Sequence, residues 1–235
     1  MVGNIVIERR FRGPTGSANG GYTCGVVAAF VEGPVEVTLR RPPPLERPLV
    51  VESDGDAGVR VLDEGALVAE GKPTAVELEA PAPPSFGEAA AAALPEGDLG
   101  SPFPECFVCG AHRQAGDGLR IFAGPHGDGR VAATWVPTDA YAAPEFVWAA
   151  LDCPGAYAGG FGVGERGTLV LGRLAARVDA VPRADERCVV VGWPLGEEGR
   201  KVYAGTALYG ESGRVLGVAR ATWIEPLSPG ATSGV

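Results

Sequence analysis

Short apolar–polar alternations fill most of the chain, and one long apolar segment interrupts them early and another late. NIVIERRF (4–11) and EVTLRRPPPL (36–45) predict strands, and they flank ANGGYTCGVVAAFV (18–31), which predicts a helix. The stretches at 47–54, 58–65, 66–72 and 74–80 are short, rich in β-branched residues and bounded by Gly, Asp or Pro, so they predict further strands. This order is strand, helix, then an antiparallel meander. Residues 80–105 shift to Pro, Ala and Gly and predict a linker, with one short helix at EAAAAAL (88–94). The order then repeats. GLRIFAG (118–124) and GRVAATWVP (129–137) predict strands. Residues 144–158 predict one helix, with Pro144 suited to its first turn and Glu145 favourable near its start. Residues 168–181, 187–195, 201–210 and 214–226 predict four strands. The repetition points to a duplicated α+β unit, each copy setting a helix against an antiparallel sheet.

Composition narrows the function classes. A net charge of −9 opposes non-specific binding to nucleic acid or to an anionic membrane, so a phosphate-bearing ligand needs a local basic cluster. No run of eighteen apolar residues predicts a membrane span, and the charges in MVGNIVIERRFRG do not fit a signal peptide. Five cysteines, an odd number in a chain of 235, do not form a disulfide framework, and we expect a reduced, cytoplasmic protein. Only two histidines occur, His112 and His126, so a Ser-His-Asp or Cys-His design must use one of them. Within FVWAALDCPGAYA (146–158) one acid, Asp152, sits among apolar neighbours. Pro154 cannot donate to the Ala150 carbonyl, so from residues alone Asp152 is either a locally bonded acid beside a kink or a functional group.

Several motifs, in order, resemble hot-dog-fold acyl-CoA thioesterases. CFVCGAHRQAGDGLRIF (106–122) resembles the opening of many of them. WAALDCPGAYA (148–158) resembles the central helix and its acid in the second half of double-hot-dog members. GSANGGYTCGVVAAF (16–30) resembles the Gly-Gly approach to the hot-dog helix, and GPVEVTLRRPPPL (33–45) the strand after it. GRKVYAGTALYGESGRVLGVARATWIEP (199–226) resembles the last two strands. The resemblance implies an α+β fold of tandem hot-dog units, each an antiparallel sheet wrapping a central helix, the two pairing as a pseudo-dimer. We expect a first unit at 1–80, a linker at 81–104, a second unit at 105–228 and a disordered tail at 229–235. Such units commonly pair further, so a homo-oligomer of pseudo-dimers is expected.

The resemblance also implies a site shared between halves. In relatives, one helix start offers glycine N–H groups to the thioester oxyanion, and the partner helix offers a carboxylate eight residues past the matching glycine. Helix starts carry free N–H groups and positive partial charge, and glycine lets substrate approach. Here Gly20 plus eight is Ala28, and Asp152 minus eight is Pro144. The halves are complementary, and one site results: Asp152 as base or nucleophile, Gly20 and Gly21 as oxyanion donors, Asn19 as orienter or cap. Arg40 and Arg41 are expected to bind coenzyme A phosphates, with Arg113 and Arg120 as further candidates. Thr222, Trp223 and Cys153 are expected to line the acyl pocket. Cys106, Cys109 and His112 spell C-x-x-C-x-x-H, but no fourth ligand follows, so neither metal nor cofactor is expected. The implied activity is hydrolysis of an acyl-CoA or acyl-carrier thioester. The alternative is a non-catalytic acyl-CoA binder or sensor, favoured by RATWIEP lacking the Gln that some relatives place beside the acid. A hydratase needs an Asp/His pair, and a zinc-bearing nucleic-acid binder is opposed by the charge.

Overall fold

The computed structural model describes residues 2–95, 102–161 and 167–227. Linker residues 96–101 and the expected tail at 229–235 lie outside them. The first half runs β1 (Gly3–Val6), α1 (Gly20–Ala28), β2 (Val35–Leu39), β3 (Pro48–Ser53), β4 (Val59–Asp63) and β5 (Ala66–Pro73). A short helix, α2 (Phe86–Ala92), follows. The second half runs β6 (Gly124–Pro125), β7 (Val131–Trp135), α3 (Pro144–Ala150), α4 (Cys153–Ala158), β8 (Val170–Val178), β9 (Cys188–Glu198), β10 (Lys201–Tyr209) and β11 (Val215–Ile224).

All strands join one antiparallel sheet in the order β1-β3-β4-β5-β2-β8-β11-β10-β9-β7-β6. Leaving out the two-residue β6, the halves share one permutation: β1-β3-β4-β5-β2 corresponds to β7-β9-β10-β11-β8. Equivalent strands β2 and β8 meet antiparallel, Val35 opposite Ala176 and Val37 opposite Leu174, as a two-fold relation requires. The strand order is thus repeated, and the two halves join edge to edge through β2 and β8.

The curved inner face wraps the helices. α1 and α3 run antiparallel in close contact because Gly21 and Gly25, one turn apart, present no side chain. A Cβ at Gly25 would lie 2.7 Å from Glu145 Cα, and one at Gly21 2.8 Å from the Trp148 carbonyl oxygen and closer still to Asp152 Cβ. On β9, Cys188 and Val190 face the helices, while Val189 and Val191 belong to a second apolar cluster on the outer face. Residues between β5 and β6 cover that cluster. Val76, Leu78, Phe86 and Ala89 pack on it, the Tyr209 hydroxyl donates to the Pro81 carbonyl, and Arg187 stacks over Phe86 at 4.1 Å. A reciprocal Ser85–Glu88 capping box starts α2.

Three expectations are corrected. TAVELEA (74–80) forms no strand: β5 ends at Pro73, and Val76 and Leu78 serve the outer apolar cluster instead. GLRIF (118–122) is not a strand either, because Arg120 takes a left-handed φ of 54° and the segment bonds to the cysteine loop, Leu119 N–H to Phe107 O and Ile121 N–H to Val108 O. The helix expected across 144–158 breaks in two at Leu151 and Asp152. Pro154 has no N–H for Ala150, and the Thr206 hydroxyl instead donates to Leu151 O at 2.7 Å. Asp152 thus stands at the break, not mid-helix, with φ −81° and ψ −84°.

Candidate active site

The break frees Asp152 to reach across to the other half. Its Oδ2 accepts the Gly21 N–H at 3.0 Å and the Asn19 Nδ2–H at 2.9 Å. Asn19 caps α1, its Oδ1 accepting the Tyr22 N–H at 2.8 Å, while its own N–H is held by Phe11 O. Each side chain is 2 % exposed. Asp152 Oδ1 is buried and has no hydrogen-bond partner among the described residues. Burial pushes the Asp152 carboxyl up to about 7, with the Gly21 N–H opposing that rise, Cys106 adding to it and Asn19 opposing it.

Asn19 and Asp152 open onto a cavity of about 430 Å³, within the range of small-ligand pockets, about 300–1,000 Å³. The walls are mostly apolar: Pro43, Phe103, Phe161, Leu169 and Leu171 contribute, and Trp223 and Cys153 line it too. A β-bulge places Gly172 between the pairs Thr222–Arg173 and Trp223–Leu171, and Gly172 also lines the cavity. Thr222 is not in the lining. Arg40 and Arg41 stand exposed at the rim. Arg40 is paired with Glu70 at 2.7 Å, while no described acid pairs with Arg41. Arg113, another phosphate candidate, is a buried brace: it donates to Glu105 O at 2.9 Å and Arg10 O at 2.6 Å and pairs with Asp117 at 3.2 Å.

The structure brings together Asn19, Gly20, Gly21, Asp152 and Cys153, with the Gly21 N–H already bonded to the acid. Gly20 lines the cavity, and its N–H has no acceptor among the described residues. The wall also carries two thiols that were not in the expected site, those of Cys106 and Cys109. Phe107, fully buried between them, packs into a ring cluster with Phe11, Tyr22, Tyr141 and Phe146. That anchor turns the C-x-x-C inward, toward Cys153, whereas His112 is exposed. The spacing of Cys106 and Cys109 was visible, but their third neighbour was hidden in the run that carries Asp152.

No family model matches the chain, and no curated protein matches it in sequence. Solved structures do. A candidate thioesterase from Novosphingobium aromaticivorans is 15% identical, with 95% of each chain covered and a TM-score of 0.61. A candidate thioesterase II from Thermobifida fusca is 13% identical, covering 95% of this chain and 93% of its own, at 0.60. A conserved protein of unknown function with the hot-dog fold, from Alicyclobacillus acidocaldarius, is 10% identical, covering 96% and 93%, at 0.61. At these identities the likeness concerns the backbone: this chain has the hot-dog fold, its strand order laid down twice along one polypeptide.

Proposed function

We propose that the protein hydrolyses an acyl thioester, of coenzyme A or an acyl carrier, at one composite site between its two halves. The observation that carries this reading is a buried carboxylate at a helix start, with one oxygen held and the other unpaired, beside an apolar cavity. Gly21 and Asn19 fix Asp152 by Oδ2. Oδ1 takes a proton from water, and the resulting hydroxide attacks the thioester carbonyl carbon. Charge collects on the carbonyl oxygen, where the unbonded Gly20 N–H at the start of α1 receives it. The C–S bond then breaks, the sulfur leaves with the bonding electrons, and the proton on Asp152 returns to it. Arg41, exposed at the rim, meets a carrier phosphate. Phe103, Phe161 and Leu171 hold the acyl chain.

A panel of acyl-CoAs with free-thiol detection tests this. The wild type is expected to release thiol, and Asp152→Asn is expected to release none while keeping its fold by circular dichroism. Unchanged turnover in Asp152→Asn removes the acid from the mechanism. Non-catalytic acyl-thioester binding is the second reading, favoured because the Gly21 amide is occupied by Asp152. Tight binding by the wild type with no thiol release selects it.

A further inference from the structure

Cys106, Cys109 and Cys153 are all buried, and their sulfurs lie within 4.8 Å of one another. The three line the same cavity as Asp152. They come from two places: a C-x-x-C-G loop ahead of β6, and the first residue of α4. The loop has the tightness of a metal-binding knuckle. A Cβ at Gly110 would sit 2.7 Å from both Cys106 N and Pro104 O, and the Gly110 N–H closes on Cys106 O at 2.8 Å. The Asn19 amide approaches Cys106 Sγ at 3.7 Å.

The spacing has a further meaning. Two thiolates on one tetrahedral zinc, each about 2.3 Å from the ion, stand about 3.8 Å apart. Cys106 Sγ and Cys153 Sγ are 3.8 Å apart, and all five cysteines of the chain are free thiols.

We infer that Cys106, Cys109 and Cys153 form a three-thiolate site for a zinc-class divalent cation, with its fourth position open to the cavity. This sets aside our sequence expectation of no metal, which looked for a fourth protein ligand near His112. Three soft sulfur donors select zinc over magnesium or calcium. An open fourth position distinguishes such a site from a closed structural one and admits a water or a soft exogenous ligand. Loading replaces the thiol protons with the ion: Zn²⁺ binds three thiolates, and each thiol that was protonated releases its proton to solvent. The inference does not rest on thioester hydrolysis, because its readouts need no substrate.

The test uses the full chain, purified under reducing conditions and dialysed against metal-free buffer. Mass spectrometry of metal content is expected to find about one zinc per chain. Cobalt added to metal-free reduced protein is expected to give the thiolate-to-cobalt charge-transfer band and tetrahedral visible bands, saturating near one equivalent and displaced by zinc. Even outer-sphere changes weaken metal sites by about 10- to 100-fold. Cys106→Ser, Cys109→Ser and Cys153→Ser are therefore each expected to lower cobalt affinity at least about tenfold. Cys188→Ser, a buried cysteine elsewhere, and His112→Ala are expected to leave it unchanged. Absence of both zinc and the wild-type cobalt band overturns the site, whatever the folding of the serine variants. Loss of binding in His112→Ala overturns the ligand set. A Cys106–Cys109 or Cys106–Cys153 disulfide in protein purified without reductant overturns it in favour of a redox pair.

Discussion

Gly21→Ala tests the helix contact on which the proposed composite site depends. On an exposed helix this change stabilises by about 1 kcal/mol. Here the new methyl would stand 2.8 Å from the Trp148 carbonyl oxygen, 3.0 Å from Asp152 Cγ and closer to Asp152 Cβ. None of these is a flexible chain end, so α1 and α3 must separate. Overpacking of this kind costs about 1–3 kcal/mol. Separation also weakens the Gly21 N–H bond to Asp152, now 3.0 Å, and bonds to charged groups are worth about 1.5–3 kcal/mol. Setting the helix gain against these losses leaves a net destabilisation of about 1.5–5 kcal/mol. Urea unfolding followed by tryptophan fluorescence reads it directly, since Trp148 is buried at the contact. Gly25→Ala is the companion: it crowds Glu145 Cα at 2.7 Å and also lowers stability. Its bond partners at Asp152 are untouched, so more thiol-release activity per folded molecule is expected to survive than in Gly21→Ala. A Gly21→Ala protein as stable as wild type, or more so, refutes the close-contact reasoning, because only an uncrowded glycine gains from the exchange.

Further outcomes follow from single contacts. Asn19→Ala removes the α1 cap and one of the two donors to Asp152; about 1–2 kcal/mol of stability is expected to go, with kcat falling more than KM rises. Arg41→Ala removes a charge at the cavity rim, and exposed pairs are worth about 0.2–1 kcal/mol, so KM for an acyl-CoA rises at most about fivefold and KM for the phosphate-free acyl-pantetheine holds. Hydrogen bonds from the Ser85 side chain and then from its backbone N–H hold the Glu88 carboxyl below its ordinary value. Its stabilisation of α2 is thus present above the free-carboxyl pKa and lost as pH falls through the folded value. Thermal unfolding of Glu88→Gln between about pH 5 and 3 is expected to lack that acid-side decline.

Legibility in the sequence followed the kind of interaction. Strands such as β9, β10 and β11 were readable because a half-buried sheet imposes alternation or dense β-branching. The two central helices were readable as apolar runs. GLRIF carries the same signal, yet the left-handed Arg120 and bonds to the cysteine loop take it out of the sheet; no local pattern marks such a tertiary choice. TAVELEA failed differently, since its apolar positions face a sheet surface and not a strand neighbour. Pro154 announced a kink beside Asp152, and only the fold shows that the kink splits the helix and turns the acid toward α1. The convergence of Cys153 on Cys106 and Cys109 was not legible at all, because those positions are joined by the path of the chain and by no spacing rule.

The two halves repeat one topology but not one helix start, and that inequality explains why a duplicated fold presents a single candidate centre. A pseudo-two-fold axis carries the start of α1 onto the start of α3. At α1, Asn19 caps the helix and Gly20 follows with an N–H that has no acceptor among the described residues. At α3, Ala143 makes no side-chain cap and Pro144 has no N–H to give. Ala28, the counterpart of Asp152 by spacing, is apolar and buried. An acid at residue 28 would face a start with one amide fewer and no capping side chain, and burying it there would cost several kcal/mol without a compensating donor. Asp152 is tolerable because the opposite half supplies two donors to one of its oxygens, and Gly21 is required because that acid and Trp148 occupy the space of a side chain. Each residue of the pair therefore constrains the other across the axis.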